Sequence, residues 1–398
     1  MTTAAAGAFP TFGDALRILP GVTVLEIGTQ ASAPSCGAVL ASLGADVIKV
    51  EHPRAGDPAR AVGPFRGFPD LHNGLLFEGL NRAKRSVTLN LTMPSSVPLV
   101  AELARNADVV IENAAPGGYP WPWLETTWQS ARPAGLVACH LSPLGAPAGE
   151  RFGPQHELQA SAASGMSATM GLPDRPPLPL PPLVSGINAG LYAATAVLAV
   201  LSDPNRRATV SIEVTEAEAL LAVHTASDLI DWVVAQRAPI RTGAKQTRDG
   251  FSSETVACAD GWAHVSLVVP AQREHLRALM AGAGFETDEE LQDETGGVSE
   301  LVRRWLVTQT RRQLLEAELA HDVGVVPLLS GSEFAAIVAE RRGTAAELED
   351  ALLVPRVTAT DECAPRLGQH NGEVWPAVFD RVYGDAGWAT EAFVQGLL

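Results

Sequence analysis

Two strand patterns joined by one helix pattern, near the start of the chain, constrain its fold more than any other feature. Residues 21–29 read GVTVLEIGT and residues 45–51 read ADVIKVE, and both are rich in β-branched residues. Between them, APSCGAVLASLG carries the small and apolar residues of a buried helix that ends at Gly44. A strand, a helix and a second strand in this order form a βαβ unit with parallel strands. We therefore expect a parallel sheet covered by helices.

The same alternation continues through the first half of the chain. SVTLNLT, DVVIENA and GLVACHLSP read as further strands, and SVPLVAELARNA reads as a helix. This is the pattern of a doubly wound sheet, in which ligands bind at the carboxyl ends of the strands. The turn after the first strand reads GTQASAPSCG and has no G-x-G-x-x-G motif, so the sequence does not favour a dinucleotide site.

A second domain is indicated by length and by a change of pattern. The 398 residues exceed the size of about 250–300 at which single cores stop growing. FSSETVACADGWAHVSLVV reads as two strands around an Asp260-Gly261 turn, and helical patterns follow. We expect an α/β protein with a Rossmann-like, doubly wound large domain at 1–215, completed by 346–398. A smaller α+β domain is expected at 220–345.

Charge and motif spacing exclude several classes of function. The formal net charge is −16 and no block of Lys or Arg is present, which argues against nucleic-acid partners and anionic membranes. Scattered cysteines predict free, buried thiols, and the histidines lack metal-site spacing, so no metal is expected. The start of the chain lacks the pattern of a signal peptide, and the apolar stretch at 181–201 predicts a core helix. We expect a cytoplasmic protein.

Seven segments of the chain stand in a characteristic order. They are LPGVTVLEIGTQASAPSCGAVLASLGADVIKVEHPRAGDPAR, NRAKRSVTLNL, ADVVIENAAPGG, ASGMSATMG, NAGLYAATAVLAVL, ADGWAHVSL and LGQHNGEV. In order and approximate spacing they resemble family III CoA-transferases, which include formyl-CoA transferase, carnitine CoA-transferase and the α-methylacyl-CoA racemases. The resemblance covers residues 18–375. It implies two ring-shaped subunits that thread through each other as an interlocked dimer.

The resemblance also implies a nucleophile that this chain lacks. Members of the family use an aspartate, whose carboxylate attacks the thioester and forms a mixed anhydride and then an enzyme-CoA thioester. Alignment on NAGLYAA puts Gly186 at that position. No triad spacing supports Ser185 as a replacement, and we expect Ser185 or Asn188 to cap the following helix instead. Under another register the nearest acid is Asp174, whose Pro-rich surroundings indicate an exposed turn.

Two residues lie at an active-site position by resemblance, because the racemases carry a histidine-acid pair where this chain has His156 and Glu157. Racemisation needs two opposed acid/base groups, and the second group of the racemases is the missing aspartate. The pair therefore has two open interpretations. It could carry altered acid/base chemistry, or its members could be polar residues of a disused cleft.

The resemblance implies CoA as a substrate, not as a tightly bound cofactor, and its phosphates require basic side chains or helix N-termini. Ala114 and Ala115 stand where many relatives have an aromatic residue and an arginine. CoA binding is therefore expected to be weak or lost. The residues expected at the CoA site are His52, Arg54, Arg60, Lys84, Arg85 and Asn113.

Three hypotheses of function follow. In the first, the chain is the non-nucleophilic subunit of a hetero-oligomeric CoA-transferase, as in enzymes that act on benzylsuccinate, and its partner of the same fold carries the aspartate. In the second, it is a homodimeric enzyme with altered acid/base chemistry at His156 and Glu157. In the third, it is a binding or scaffold protein without catalytic activity.

Overall fold

The computed structural model describes most of the chain. The described residues are 17–113, 135–145, 155–203, 208–224, 233–234, 236, 241, 243–248, 251–285, 290–292, 297–342, 363–384 and 396–398. The contacts between residues divide the chain into two compact units. One comprises Met1–Ser167, Pro179–Gln236 and Leu352–Leu398, and the other comprises Ala168–Leu178 and Arg237–Ala351.

A six-stranded parallel sheet forms the centre of the first unit, as the alternating strand and helix patterns predicted. Its strands are β1 (Thr23–Ile27), β2 (Asp46–Glu51), β3 (Arg85–Thr88), β4 (Val109–Glu112), β5 (Val137–Ser142) and β6 (Val210–Thr215). Their order is β3-β2-β1-β4-β5-β6. The order reverses between β1 and β4, so the sheet is doubly wound and its switch point lies between these two strands.

Helices cover both faces of this sheet, with α1 (Ser32–Ser42) and α6 (Val184–Leu201) on one face and α3 (Val97–Arg105) and, late in the chain, α12 (Asn371–Tyr383) on the other. The first unit also contains α2 (Leu75–Asn81), α4 (Glu157–Ala163) and α7 (Glu216–His224), and the chain passes from this unit to the other within α5 (Met166–Thr169). Alternate strand residues supply two apolar cores. One core, on the side of α1 and α6, includes Val24, Val47 and Val109. The other, on the side of α3 and α12, includes Leu25, Ile48 and Val110.

Helix α6 packs closely on α1 because both helices have small residues at their contact. A Cβ built on Gly190 would lie 2.6 Å from the carbonyl oxygen of Ser32 and 2.9 Å from the amide nitrogen of Cys36, so only glycine allows this approach. By length and composition alone α6 could cross a membrane. The face that carries Ala189, Ala193 and Val197 is buried in the core of the first unit.

The late segment LGQHNGEV docks on β3, at the edge of the sheet. His370 Nδ1 accepts a hydrogen bond from the backbone N–H of Ser86 at 3.1 Å, and Asn371 Oδ1 accepts one from the backbone N–H of Thr88 at 2.8 Å. Helix α12 then buries Trp375 in the core on the α3 side. The end of the chain is thus part of the first unit.

The second unit contains a four-stranded antiparallel sheet in the order β10-β9-β8-β7. The expected hairpin around Asp260-Gly261 is present between β8 and β9. The strands are β7 (Lys245–Arg248), β8 (Phe251–Cys258), β9 (Gly261–Ser266) and β10 (Val325–Pro327). The helices are α8 (Pro270–Gly282), α9 (Glu300–Leu306), α10 (Arg311–His321) and α11 (Gly331–Arg342). Trp305 and Leu276 are among the residues of its core.

Two expectations from the sequence concern the domain limits and the burial of the cysteines. The domain limits expected from the sequence, 1–215 with 346–398 and 220–345, stay predictions. Cys36, Cys139 and Cys258 are buried as expected. Cys363 is exposed, so the expectation was wrong there: it lies in the irregular segment before α12, outside both cores.

Candidate functional site

The loop between β1 and α1 lies at the switch point of the sheet and is held by three polar side chains. Lys49 Nζ donates to the carbonyl oxygen of Gly28 at 2.7 Å, and the backbone N–H of Gln30 donates to Asp57 Oδ1 at 3.0 Å. Asn113, which follows β4, accepts from the N–H of Thr29 at 2.9 Å and donates to its carbonyl oxygen at 2.8 Å. These contacts fix the loop where doubly wound proteins bind ligands.

A buried network of charges supports this loop from the core side. Glu26 in β1 bridges two lysines, with Oε1 at 2.8 Å from Lys49 Nζ and Oε2 at 2.7 Å from Lys84 Nζ. Lys49 also contacts Asp57 at 2.9 Å, and none of these four side chains is exposed to solvent. Lys84 completes its bonds with the carbonyl oxygen of Pro34 in α1. Buried charges require such pairing because an unpaired ion in the interior is costly.

The two lysines share Glu26 but differ in pKa. Burial lowers the pKa of Lys84 to about 8; the attraction of Glu26 opposes this fall, and repulsion from Lys49 adds to it. Burial acts on Lys49 in the same direction, but Asp57 and Glu26 together outweigh it and raise its pKa. Lys49 is therefore a fixed positive charge beneath the loop.

A second buried ion pair lies beside the first. Arg60 Nε and Nη2 donate to the two oxygens of Glu51 at 2.7 Å and 2.8 Å, and Arg60 also bonds to the carbonyl oxygens of Leu71 and Pro365. Although burial opposes ionisation, the bonds from Arg60 hold the pKa of Glu51 below its usual value. The pair ties the end of β2 to the segment before α12.

The N-terminal ends of α1 and α6 meet at the position expected for the nucleophile. A Cβ built on Gly186 would lie 2.8 Å from Ala31 Cβ and 3.3 Å from the backbone nitrogen of Ser32. Neither helix has a side chain that caps it in the usual way. Ser185 lies in the first turn of α6 and its hydroxyl donates to Glu216, so the expectation that it caps the helix was wrong. Asn188 does not cap the helix either, since α6 begins after Leu183 without a side-chain bond.

Two carboxyl groups approach this junction from neighbouring helices. Glu157 Oε1, in α4, accepts the backbone N–H of Ser185 at 3.2 Å and so occupies one of the free amides at the start of α6. Glu216, the first residue of α7, accepts from Ser185 Oγ at 2.8 Å. Burial raises the pKa of Glu216 to about 7; the hydroxyl of Ser185 opposes this rise, the charge of Glu157 adds to it, and Ser32 opposes it.

Chemically, this junction offers a protonatable carboxyl and two helix N-termini but no carboxylate on residue 186. Helix N-termini favour negative charge, so they would suit a carboxylate or a developing oxyanion. Covalent transfer through the position of Gly186 is excluded, because glycine has no side chain to acylate. Among the described residues, no group of three or more His, Cys, Asp or Glu is placed to hold a metal ion.

The residues expected to hold CoA do not form one cluster. His52 and Arg54 are exposed after the carboxyl end of β2, and Asn113 lies at the same edge of the sheet. Arg60 and Lys84 are buried in their ion pairs, where the carboxylates take up their charge. These contacts give both a structural role, while a role in CoA binding stays a prediction.

Arg85 lies on the opposite side of the sheet, at the amino ends of the strands. It begins β3 and its guanidinium contacts Asp46, the first residue of β2, at 2.6 Å. Because ligands bind at the carboxyl ends of parallel strands, this location does not favour a phosphate contact within one chain. CoA binding by Arg85 stays a prediction of the sequence.

The remaining predicted residues have different surroundings. His156 is exposed at the start of α4, and its backbone N–H donates to the side chain of Gln159 at 2.7 Å. Glu157 reaches the junction and His156 does not contact it through any described bond. Asp174 is exposed, as expected for a turn. Ala114 and Ala115 lie outside the described residues.

Glu216 and the buried charges of β1 and β2 were not among the residues expected at the site, although the sequence contains a signal for each. Glu26, Lys49 and Glu51 are charged residues within strands that are otherwise apolar, which indicates buried pairing. Glu216 directly follows β6, and residues in that place line the ligand-binding edge of a parallel sheet.

Comparisons with known proteins agree on one family. The model of CoA-transferase family III matches residues 19–377. The succinate–glutarate CoA-transferase of Agrobacterium fabrum is 30% identical over 385 residues, which cover 89% of this chain and 94% of the relative. The succinyl-CoA–L-malate CoA-transferase beta subunit of Chloroflexus aurantiacus is 28% identical over 390 residues, 89% of this chain and 93% of the relative.

A solved structure supports the fold. The chain is similar to a CAIB/BAIF family protein from Brucella suis with a TM-score of 0.71 and 22% sequence identity, over 91% of this chain and 99% of that protein. At this identity the similarity shows the fold alone.

Proposed function

Because the chain belongs to CoA-transferase family III, we propose that it is the non-nucleophilic subunit of a two-subunit enzyme that moves CoA from an acyl-CoA to a free carboxylic acid. The observation that carries the proposal is the junction of α1 and α6. Gly186 has no side chain, and Ala31 occupies the space into which one would project. The chain keeps the family's fold around a position that cannot form the anhydride.

A partner of the same fold would supply the aspartate. The proposal is supported by the relative from Chloroflexus aurantiacus, which is itself the beta subunit of a CoA-transferase. In an interlocked dimer the two chains complete each other's cores, so a chain can lose its nucleophile and still be required for the partner to fold. We propose this assembly, and with it a cytoplasmic location, for the present chain.

In this enzyme the described residues have defined tasks. Lys49, Asp57 and Asn113 hold the loop before α1, and the two helix N-termini present amides to the ligand. His52 and Arg54 are the exposed basic candidates for CoA phosphates. CoA enters as a substrate and leaves as part of a product, so no tightly bound cofactor is required.

Isolation of the complex tests the proposal. The tagged chain is purified from its native host at endogenous level, and the proteins present in equal amount are identified by mass spectrometry. We expect a second family III chain with an aspartate at the position that corresponds to Gly186. The pair should transfer CoA to acids such as succinate, glutarate or malate, and replacement of the partner's aspartate by asparagine should abolish transfer. A homodimer with full transfer activity would contradict the proposal.

A second candidate is a homodimer with acid/base chemistry, and the contact between Glu157 and Ser185 favours it. This contact brings a carboxylate to the start of α6, beside Gly186. A homodimer isolated without a partner would direct attention to this candidate. Its test is the activity of the Glu157→Gln and His156→Gln variants on a CoA thioester, with loss of turnover expected for Glu157 and a smaller effect for the exposed His156.

A further inference from the structure

Glu216 is a buried carboxyl group that the proposed CoA transfer does not use. It is the first residue of α7, at the carboxyl edge of the sheet, and is 6% exposed. No cation contributes to its electrostatic environment among the described residues; its neighbours are Ser185, Glu157 and Ser32. A buried carboxyl without a cation is uncommon unless it carries a proton or serves a ligand.

The contact between α1 and α6 includes polar atoms that the described residues leave unsatisfied. Ser35 is fully buried on the face of α1 that contacts α6, one turn after Ser32, and its Oγ has no hydrogen-bond partner among the described residues. Asn188 Nδ2, one turn after Ser185 in α6, is also buried, and no described residue bonds to it. Buried polar groups are normally paired, so such atoms at one junction indicate a place for a polar ligand. The N-termini of α1 and α6 add to this, since neither has a capping side chain of its own and the amides that Glu157 does not occupy favour an oxyanion.

Position 186 and the carboxyl of Glu216 share Ser32, the first residue of α1, as a neighbour. A side chain on residue 186 would project toward Ala31 and the backbone nitrogen of Ser32, and the carboxyl of Glu216 interacts with Ser32 as well as with Ser185. A carboxyl group is therefore present beside the place that the family's aspartate would occupy, but it comes from a different helix.

We propose that Glu216 is an acid/base residue of this site, which removes and returns a proton on the carbon next to the carbonyl group of a bound CoA thioester. This rests on the proposed function in one respect, namely that a CoA thioester binds at the junction of α1 and α6. The C–H bond breaks and an O–H bond forms on the carboxylate. The electron pair moves toward the thioester oxygen and gives an enolate, and return of a proton from the same carboxyl restores the thioester.

The environment suits proton transfer better than nucleophilic attack. Burial raises the pKa of Glu216 to about 7, so near neutral pH the group is present both as a base and as an acid. A nucleophile has to be ionised, whereas burial favours the protonated form of this carboxyl, which accepts a bond from Ser185 Oγ at 2.8 Å. The groups that face it are Glu157 from α4, Ser185 from α6 and Ser32 from α1, and of these only Glu157 is titratable.

The experiment measures exchange of this proton with solvent. The full chain, in the assembly isolated from its host, is incubated with butyryl-CoA in deuterium oxide, and deuterium on the carbon next to the carbonyl is followed by mass spectrometry and proton NMR. We expect exchange whose rate rises with pH through about 7, as Glu216 ionises. Glu216→Gln should lower the rate by at least about 100-fold, the usual contribution of a positioned acid or base.

A matched control uses the neighbouring carboxyl of the same helix. Glu218 contacts Thr215 and not the junction, so Glu218→Gln should exchange at the rate of the unmodified chain. The glutamine variant of Glu216 has the shape of the protonated carboxyl, and its melting temperature is measured to verify folding. Equal exchange by Glu216→Gln and the unmodified chain would overturn the proposal, and so would a lack of exchange by a chain that binds butyryl-CoA.

Failure of the premise gives a different result. Binding of butyryl-CoA is measured separately by equilibrium dialysis. If the probe does not bind, the proposed function fails at the level of the ligand, and the assignment of Glu216 fails with it. If the pair transfers CoA but the thioester shows no exchange, the proposed function stands and the role of Glu216 does not.

Discussion

Ala31 and Gly186 set the distance between the N-terminal ends of α1 and α6, because a Cβ on residue 186 would lie 2.8 Å from Ala31 Cβ. The absence of a nucleophile is therefore more than the exchange of one residue. The N-terminal end of α1 fills the space that a carboxylate side chain at this position would need.

Restoring the aspartate alone should fail for this reason. We expect Gly186→Asp to lower the free energy of unfolding by about 1–3 kcal/mol, the cost of forcing additional atoms into a packed region, and to confer no CoA transfer. The double variant Ala31→Gly with Gly186→Asp should recover most of the stability. Urea denaturation and a CoA-transfer assay check both statements. A single variant as stable as the original chain would show that the junction is looser than the structure has it.

The stability of the chain should depend on pH through Glu216. Its pKa is about 7 in the folded chain and 4.5 is its ordinary value, so between these values the folded state binds more protons than the unfolded state. Stability contributed by the protonated carboxyl is complete below pH 4.5 and is lost as the pH rises through 7. At 1.36 kcal/mol per pKa unit, this difference in pKa corresponds to a loss of about 3 kcal/mol.

Glu216→Gln isolates this effect, because glutamine keeps the shape and does not titrate. The free energy of unfolding of both proteins is measured in urea at several values between pH 4.5 and 8. The free energy of unfolding of the variant should rise relative to that of the original chain as the pH rises, by about 3 kcal/mol over the range. A difference that stays constant with pH would mean that Glu216 ionises in the folded chain as easily as in water.

The buried and the exposed arginine pairs should differ strongly in their effect on stability. Arg60→Met leaves Glu51 buried without its cation and should cost about 3–5 kcal/mol, and the double variant with Glu51→Gln should recover part of it. Arg85→Ala removes a half-exposed pair with Asp46 and should cost about 0–1 kcal/mol. Chemical denaturation at pH 7 compares the variants. Equal losses for Arg60 and Arg85 would contradict the buried network.

CoA affinity should distinguish the carboxyl ends of the strands from their amino ends. Arg54 is exposed after β2, at the edge where ligands of such sheets bind, and Arg54→Ala should raise the dissociation constant of CoA by about 10-fold. Arg85→Ala, at the other edge, should leave it within about 2-fold. Isothermal titration calorimetry on the isolated assembly measures both. A larger loss for Arg85 would favour the original expectation from the sequence and would require a CoA path along a different surface.

Much of the first unit could be predicted from local patterns. The strands β1, β2 and β4 are short apolar runs with helices between them, and the rule for parallel connections then determines that they form one sheet. The hairpin of β8 and β9 was predictable from Asp260-Gly261, because Asp-Gly is strongly favoured in the tight turns that join two antiparallel strands.

The surroundings of charged side chains could not be predicted in the same way. Lys84 and Arg60 were expected at phosphates because their residue types suit that ligand, but whether a basic side chain points to solvent or to a buried carboxylate depends on the fold. The partners of Lys84 and Arg60 lie on β1 and β2, at Glu26 and Glu51.

The contact between Ser185 and Glu216 shows the same limit. These residues are 31 positions apart and are joined only because β6 places α7 beside the start of α6. Alignment with the family assigns a single nucleophile position and gives no information on side chains that reach the site from other helices. Glu216 could have been found only from its place directly after β6, because residues that follow parallel strands line the ligand-binding side of the sheet.

The docking of His370 and Asn371 on β3 has a consequence for how the chain behaves among other chains. The backbone N–H groups of Ser86 and Thr88 are occupied by side chains of the same molecule, so this border of the sheet offers little to a foreign strand. Open borders of sheets are where proteins join into aggregates. The late segment thus protects this border from association with other chains, and during synthesis the border stays open until His370 and Asn371 have been added to the chain.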